Sequence, residues 1–253
     1  MNKAFIRQWV DAAAAPYGPA RRFDYHFARG KLAGDPVFRG LLERGLIPDG
    51  ARLLDLGCGQ GLLAAGLLAA RGLFDSGAWP GHWPPAPKPR SYRGVELMPR
   101  DVERARRALG GPCEFVQGDM ARVDFGHADV AVILDVLHYV DEATQLDVLS
   151  RVRDALAPSG VLLLRVGDAA AGWPFRVSNW VDRVVTFLRG HRLARLHCRS
   201  LADWQGLLSS LGFSVTALPM SQGTPFGNVL LVASLGAERL SCKPPSTTAD
   251  CPL

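Results

Sequence analysis

A glycine-rich turn directly after an apolar run is the first feature of this sequence that could do chemistry. The run 53–56 contains Asp55 and leads into Gly57, Cys58, Gly59 and, after one residue, Gly61. Glycines let the chain turn tightly and approach a ligand closely, and the helix that follows offers free N–H donors at its first turn. The turn predicts a ligand site, and NAD-binding folds share this signal.

Acidic residues stand at the ends of three further apolar runs: Glu96 after SYRGV, Asp119 after CEFVQG, and Asp135 after ADVAVIL. Glu96 is placed to accept hydrogen bonds from two ribose hydroxyls, as the acidic residue does in dinucleotide folds. Asp119 can accept from an adenine amino group, with Met120 packed on the ring. With Asp55 these residues predict an acidic crevice, which suits a sulfonium ligand better than a pyrophosphate-containing dinucleotide. Each residue taken singly can instead cap the following helix.

Repeated βα units must position these residues. Strand-like runs alternate with helical stretches from ARLLDL to GVLLLRV, where Pro158 and Gly160 stop the preceding helix, and this alternation predicts a largely parallel sheet covered on both faces. The last two strands, FSVTALPM and NVLLVASL, predict an antiparallel hairpin. The predicted fold class is α/β: a Rossmann-like seven-stranded mixed sheet, with five parallel βα units closed by the hairpin. Ligands bind such sheets at the carboxyl ends of the strands, where the acidic residues stand.

The 253 residues, 48% of them hydrophobic, favour one domain with additions. The predicted segments are a helical lid (1–35), a main domain (36–235) that includes a proline-rich loop insertion (75–90) and a helical substrate-covering segment (169–199), and a disordered tail (236–253). The insertion joins a helix to a strand, so Trp79 and Trp83 are expected far from the chemistry, in a packing or partner-contact role.

Composition excludes several classes of protein. No run of eighteen apolar residues and no signal sequence is present, so we expect a cytoplasmic protein without membrane insertion. The five cysteines are scattered and indicate free thiols, with no metal site. Residues 176–199 carry six arginines and one acid, Asp182, which could attract nucleic acid, an acidic carrier protein or an anionic substrate. No nucleic-acid motif accompanies them.

The motifs LLDLGCGQG, GVEL, QGDM, ILDVLHYV and LAPSGVLLLR, in this order within residues 50–235, resemble those of class I S-adenosylmethionine-dependent methyltransferases. The resemblance implies S-adenosyl-L-methionine as cofactor and S-adenosyl-L-homocysteine as product. It places the glycine turn at the methionine part, Glu96 at the ribose, and Asp119 with Met120 at the adenine. The predicted cofactor-binding residues are Asp55, Gly57, Cys58, Gly59, Glu96, Leu97, Asp119, Met120, Asp135 and Arg29.

The segment 23–32 resembles the N-terminal lid of small-molecule methyltransferases, in which an aromatic and a basic residue reach the cofactor. Arg29 or Lys31 would pair with the methionine carboxylate, or both are surface charges. His138 follows the fourth strand and is the predicted catalytic base, with Tyr139 and His26 as the other candidates. Orienting a substrate, or packing alone, is the alternative role for His138.

The predicted acceptor is a small aromatic or lipid-like molecule, with O-, N- and C-methylation open. Its predicted contacts are Tyr25, Trp173, Phe175 and Trp180, although aromatic residues with this spacing are more often helix core. The arginines of 176–199 add an acceptor carried on an acidic acyl carrier protein. The phrase FARGKLAGDPVF also resembles methyltransferases of aryl-polyene-type pigment pathways, in which an aromatic acyl head group is methylated.

Three other functions are alternatives to a small-molecule methyltransferase. A nucleic-acid methyltransferase is supported by the basic stretch, but Asp135 is followed by Val136, Leu137 and His138 rather than by an Asn-Pro-Pro-Tyr type motif. A catalytically silent cofactor-binding partner subunit would use the insertion and the arginines as its interaction surface. A nicotinamide oxidoreductase does not require the C-terminal hairpin or Asp119. Monomer and homodimer both remain open.

Overall fold

Seven strands and seven α-helices make up the part of the chain that the computed structural model describes, residues 3–19, 22–167, 196–220 and 228–236. The strands are β1 (Arg52–Leu56), β2 (Ser91–Glu96), β3 (Glu114–Gln117), β4 (Ala128–Leu134), β5 (Leu156–Gly167), β6 (Ser214–Pro219) and β7 (Asn228–Ser234). The helices are α1 (Lys3–Ala14), α2 (Arg22–Gly34), α3 (Pro36–Glu43), α4 (Leu62–Asp75), α5 (Pro99–Leu109), α6 (Glu142–Ala155) and α7 (Leu201–Ser210), with short 3-10 turns at Ala15–Tyr17 and Leu137–Tyr139.

The strands form one sheet in the order β3-β2-β1-β4-β5-β7-β6. The pairs β3–β2, β2–β1, β1–β4 and β4–β5 are parallel, whereas β7 runs antiparallel to both β5 and β6. The predicted α/β fold class, with a mixed sheet closed by an antiparallel hairpin, is therefore confirmed. Strand order reverses at β1, so the crevice between β1 and β4 is the topological switch point where ligands bind in such sheets.

Two buried apolar clusters cover the two faces of the sheet. Neighbouring residues of β1 point to opposite faces, so Leu53 joins the cluster beneath α1 to α5 while Leu54 joins the cluster beneath α6 and α7. The N-terminal helices belong to the first cluster. Trp9 of α1 donates its indole N–H to the Gly66 carbonyl of α4 at 2.9 Å, and Tyr17 donates to the Gln60 carbonyl at 2.8 Å. The N-terminal helices are thus anchored to the helix that follows the glycine turn.

The proline-rich insertion has no helix or strand after Asp75, as its five prolines predict. Phe5 of α1 packs edge-on against Trp79 and Trp83, with ring centroids 5.6 and 5.3 Å apart, and the two tryptophans lie 5.4 Å from each other. Trp79 also donates to the Pro84 carbonyl at 2.8 Å. These contacts show the packing role expected for the tryptophans.

Strand β5 starts earlier than its apolar run predicts. Helix α6 ends at Ala155 and β5 begins at the next residue, with the pairing to β4 jumping from Leu156 opposite Ala128 to Val161 opposite Val130. Pro158 and Gly160 therefore do not separate the helix from the strand but lie in a bulge within it. Proline lacks the N–H that a ladder needs, which accounts for the interruption. Within the described residues, no helix has the length and apolar character to cross a membrane.

Candidate active site

The glycine turn adopts backbone conformations that only glycine takes easily. Gly57 and Gly59 have φ values of 75° and 54°. A Cβ on Gly57 would lie 2.5 Å from Cγ1 of Val136, whereas a Cβ on Gly59 would meet no atom within 4 Å. The N–H groups of Gly57 and Cys58 both donate to the Val95 carbonyl, at 2.8 and 3.1 Å, which fixes the turn against β2. The turn is packed behind Gly57 and open in front of Gly59, so it leaves room for a ligand.

Glu96 braces this turn from the end of β2. One carboxylate oxygen accepts from the Gly59 N–H at 3.0 Å, and the other accepts from the Met98 N–H at 2.8 Å. Burial raises the pKa of Glu96 above its usual value, and the backbone hydrogen bonds oppose that rise. Each carboxylate oxygen keeps further acceptor capacity, which fits the predicted bonds to ribose hydroxyls. Beside it, Leu97 leaves 59% of its surface exposed, an apolar patch suited to a flat ring.

Asp119 follows β3, and its side chain accepts from the Ala121 N–H at 2.9 Å. Helix α6 holds this loop from the other side, since Arg151 donates to the Met120 carbonyl at 2.9 Å. Asp119 and Met120 are both half-buried, so their side chains stay accessible to a ligand. Their role at the adenine stays a prediction.

Asp55 lies beneath the glycine turn, 3% exposed, and accepts a hydrogen bond from the hydroxyl of Tyr92. Burial raises the pKa of Asp55 to about 7, the Tyr92 hydrogen bond opposes the rise, and the charge of Glu96 adds to it. The sequence analysis did not single out Tyr92. An aromatic residue in a strand is usually a core residue, and the sequence does not indicate that its hydroxyl contacts a carboxylate. The pair places a titratable group under the candidate cofactor site.

Cofactor affinity is expected to strengthen as pH rises from about 6 to about 8, because a bound cation favours the Asp55 carboxylate over the neutral acid. The stability of the unliganded protein changes with pH in the opposite sense. A raised pKa contributes stability that is present below about pH 4, the usual Asp value, and is lost as pH rises through about 7. Calorimetry in two buffers of different ionisation enthalpy would measure both the affinity and the released proton.

The matched variant for this test is Tyr92→Phe, which keeps the ring and removes the hydrogen bond that lowers the Asp55 pKa. The pH dependence of binding should then move to higher pH. Affinity that stays flat across this range, with no proton released in either buffer, would contradict the role of Asp55.

Asp135 is the non-glycine residue with positive φ, 57°, among the described residues, and its carboxylate is held by Arg165 of β5. The Arg165 guanidinium also donates to Asp35 at 2.8 Å, and Lys31 pairs with Asp35 at 2.8 Å. Burial opposes ionisation of Asp35, but the hydrogen bonds and charges of Arg165 and Lys31 hold its pKa far below the usual value. The sequence predicts Asp135 at this edge, but it predicts neither its partner Arg165 nor Asp35, the second carboxylate that Arg165 binds. The available signal was an arginine within the apolar run GVLLLRV.

His138 lies on the 3-10 turn after β4, half-buried, with its ring centroid 4.2 Å from that of Tyr139. Its carbonyl accepts from the His197 N–H at 2.9 Å. Both candidate residues thus stand at the edge of the sheet that carries Glu96 and Asp119. Their catalytic roles stay predictions.

The predicted lid residues lie on α2. Tyr25 is half-buried and packs edge-on against exposed His26, with ring centroids 5.3 Å apart. Arg29 donates to Asp11 of α1 at 2.6 Å, and Lys31 pairs with Asp35. Both basic residues are therefore engaged with the protein's own carboxylates in this structure, and their pairing with a methionine carboxylate stays a prediction.

Several predicted residues lie outside the described part of the chain: Trp173, Phe175, Trp180 and the arginines before residue 196, together with the tail from residue 237. Cys58, Cys113 and Cys198 are free thiols. Within the described residues, no group of three His, Cys, Asp or Glu side chains could hold a metal ion.

The residues at this edge fit S-adenosylmethionine. Open space in front of Gly59 gives room for the methionine part, Glu96 offers acceptors for hydroxyls, and exposed Leu97 offers an apolar surface. Asp55 and Asp119 add negative charge that a sulfonium ion would neutralise.

Comparison with known proteins agrees with this geometry. A family model described as "Methyltransferase domain" matches residues 26–218. Carboxy-S-adenosyl-L-methionine synthase of Chromohalobacter salexigens is 32% identical over 130 residues, which cover 49% of this chain and 43% of that protein. Acetylserotonin O-methyltransferase of Mus musculus molossinus is 29% identical over 233 residues, covering 85% of this chain and 59% of that protein.

Among solved structures, the pyocyanin biosynthetic protein PhzM matches with a TM-score of 0.59 at 20% identity, covering 88% of this chain and 61% of that one. This likeness confirms the fold. The chain spans between two fifths and three fifths of the length of the curated relatives named above. The family model matches most of the chain, and the chain therefore belongs to the methyltransferase domain family, among the class I S-adenosylmethionine-dependent methyltransferases.

Proposed function

We propose that this protein transfers the methyl group of S-adenosylmethionine to a hydroxyl oxygen of a small aromatic acceptor. The observation that carries the proposal is the braced glycine turn, open in front of Gly59 and held by Glu96, with His138 at the same edge of the sheet. An oxygen acceptor is supported by the similarity to acetylserotonin O-methyltransferase over 85% of this chain.

Bound S-adenosylmethionine supplies an electrophilic methyl carbon on positively charged sulfur, and the C–S bond electrons remain on sulfur in the product. The protein's own task is to hold the acceptor oxygen in line with that carbon in a site from which water is excluded. His138 would accept the hydroxyl proton on a ring nitrogen as the new C–O bond forms. The acidic residues below the site stabilise positive charge before transfer.

The acidic residues of the site also favour a cofactor that carries a methyl group on sulfur over one that carries a carboxymethyl group. One relative makes carboxy-S-adenosylmethionine, and the additional carboxylate of that product would need a cation near the sulfonium carbon. Arg165 lies at this edge but is already neutralised by Asp35 and Asp135. Among the described residues, this arrangement supports methyl transfer.

Calorimetric titration with S-adenosylmethionine, S-adenosylhomocysteine and NAD tests the cofactor. We expect dissociation constants in the micromolar range for the first two and no binding of NAD. Glu96→Ala should weaken binding by about 1–3 kcal/mol, because it leaves the Gly59 N–H and the ribose hydroxyls without an acceptor. Glu114→Ala, at the opposite end of the strands, is the matched control and should leave affinity unchanged. Binding of NAD alone would overturn the proposal.

Transfer of a radiolabelled methyl group to a panel of phenols, including N-acetylserotonin and hydroxybenzoic acids, tests the acceptor. Methylation of at least one hydroxyl is expected. If only amines or nucleic acid were labelled, the proposal of an oxygen acceptor would be wrong, and the acceptor would belong to the labelled class.

An acceptor presented by an acidic acyl carrier protein is a further proposal, supported by the six arginines of 176–199. Replacing the five arginines before residue 196 with glutamate should then reduce turnover of a carrier-bound acceptor but not of the free molecule. Equal turnover of both would remove the docking role. The cytoplasmic location stays a prediction.

A further inference from the structure

Gln145 of α6 makes an unusual set of bonds for a side chain with none of its surface exposed. Its amide nitrogen lies 3.1 Å from the Leu137 carbonyl, 3.1 Å from the Val140 carbonyl and 2.8 Å from the His197 carbonyl. Its amide oxygen accepts from the Arg199 Nε at 2.7 Å. A single buried amide thus bonds two separate stretches of backbone.

The first stretch is the 3-10 turn that carries His138. The turn is short, and two of its backbone bonds run within it, from Tyr139 to Val136 and from Val140 to Leu137. Gln145 bonds the carbonyls on both sides of His138, so it sets the path of the chain through that residue.

The second stretch is the described end of the substrate-covering segment, residues 196–199. The His197 N–H donates to the His138 carbonyl, and the His197 carbonyl accepts from Gln145. Arg199 adds bonds to the Gln145 oxygen and to Glu142. The end of the segment is therefore joined to the His138 turn through one side chain.

We propose that Gln145 is a positioning residue that holds His138 and the end of the substrate-covering segment in one arrangement at the carboxyl edge of β4. Its amide can do this because it offers two donors and an acceptor, and three carbonyls and a guanidinium surround it. A buried network of this kind fixes one geometry when every member has a partner. The proposal rests on the proposed function, in which the acceptor oxygen lies between His138 and the cofactor.

Gln145→Met is the variant that tests it, since methionine keeps the length and the apolar packing but cannot donate or accept as the amide does. Hydrogen exchange of residues 137–140 and 196–199 should accelerate by about tenfold or more, because both stretches lose their shared anchor. S-adenosylmethionine affinity should stay within about twofold, because none of the hydrogen-bond partners described for Gln145 is a predicted cofactor-binding residue. For the phenol found by the acceptor panel, kcat should fall by about 10- to 100-fold.

Two control variants separate positioning from loss of stability. Val148→Ala shortens a fully buried side chain of the same helix and leaves the hydrogen bonds of Gln145 to the turn in place. Gln8→Met makes the same substitution at an exposed position of α1. Neither should reproduce the split between lowered kcat and unchanged cofactor affinity. The positioning role is overturned if exchange of the two stretches is unchanged in Gln145→Met, or if Val148→Ala lowers kcat equally. A wild-type protein that binds cofactor but methylates no acceptor overturns the proposed function instead, while the exchange measurement still decides whether Gln145 joins the stretches.

Discussion

Arg165→Met is expected to lower the free energy of unfolding by about 3–5 kcal/mol, the cost of breaking a buried ion pair from one side. The Arg165 side chain is 2% exposed and lies between Asp35, 9% exposed, and Asp135. Methionine fills much of the same space but leaves both carboxylates without their main partner. Lys31, itself 45% exposed, can compensate only Asp35. Asp135 would also lose the bonds that hold its positive φ.

Urea denaturation of the two proteins at neutral pH measures this loss. Arg52→Met is the matched control: Arg52 makes a similar two-point contact with Asp129, but those side chains are 40% and 35% exposed. Surface pairs contribute about 0–1 kcal/mol, so this control should lie close to the wild type. Equal losses of unfolding free energy in the two variants would show that burial does not make the Arg165 ion pairs more important for stability than the exposed pair.

The double variant Arg165→Met with Asp35→Asn gives a second check. Removing one uncompensated charge should restore part of the lost stability, because the penalty of Arg165→Met comes from charges left buried. In the wild type, the depressed pKa of Asp35 contributes stability above about pH 4, and this contribution is lost as pH falls. The difference between wild type and Arg165→Met should therefore shrink in acid.

The alternating pattern of the sequence predicts most of the fold. Apolar runs of strand length followed by helical stretches locate five parallel strands, and two runs with a short loop locate the hairpin. These elements can be read because their periodicity is local. The acidic residues Glu96, Asp119 and Asp135 could be placed at one edge for the same reason, since each follows a recognisable strand.

The long-range contacts beside these residues could not be predicted in the same way. Arg165 and Asp35 are 130 residues apart, and Gln145 and Arg199 are 54 apart. Their contacts depend on how α3, α6 and the sheet pack, which a pattern of hydrophobic residues does not specify. A charge inside an apolar run signals only that a partner exists, because burying it unpaired would cost several kcal/mol.

His138→Ala is expected to lower kcat by about 10²- to 10⁴-fold, the usual contribution of a positioned base. Affinity for S-adenosylmethionine should stay within about twofold, because the hydrogen bonds described for the glycine turn go to Val95 and Glu96 and not to His138. Tyr139→Phe keeps the ring that packs on His138 and removes the hydroxyl, and His26→Ala removes the exposed histidine of α2. Neither should approach the loss seen for His138→Ala if His138 is the base.

The pH dependence of the residual rate then decides between proton removal and packing. A phenol has a pKa of about 10, so raising the pH ionises more of the acceptor and supplies the nucleophile without help from a base. In His138→Ala the rate should therefore climb with pH more steeply than in the wild type and recover part of the loss. Ionised phenol needs no base, so a loss that is caused by a missing base should recover as the pH rises. A residual rate that is equally low at neutral and raised pH would therefore show that the His138 ring only packs against Tyr139 or orients the acceptor.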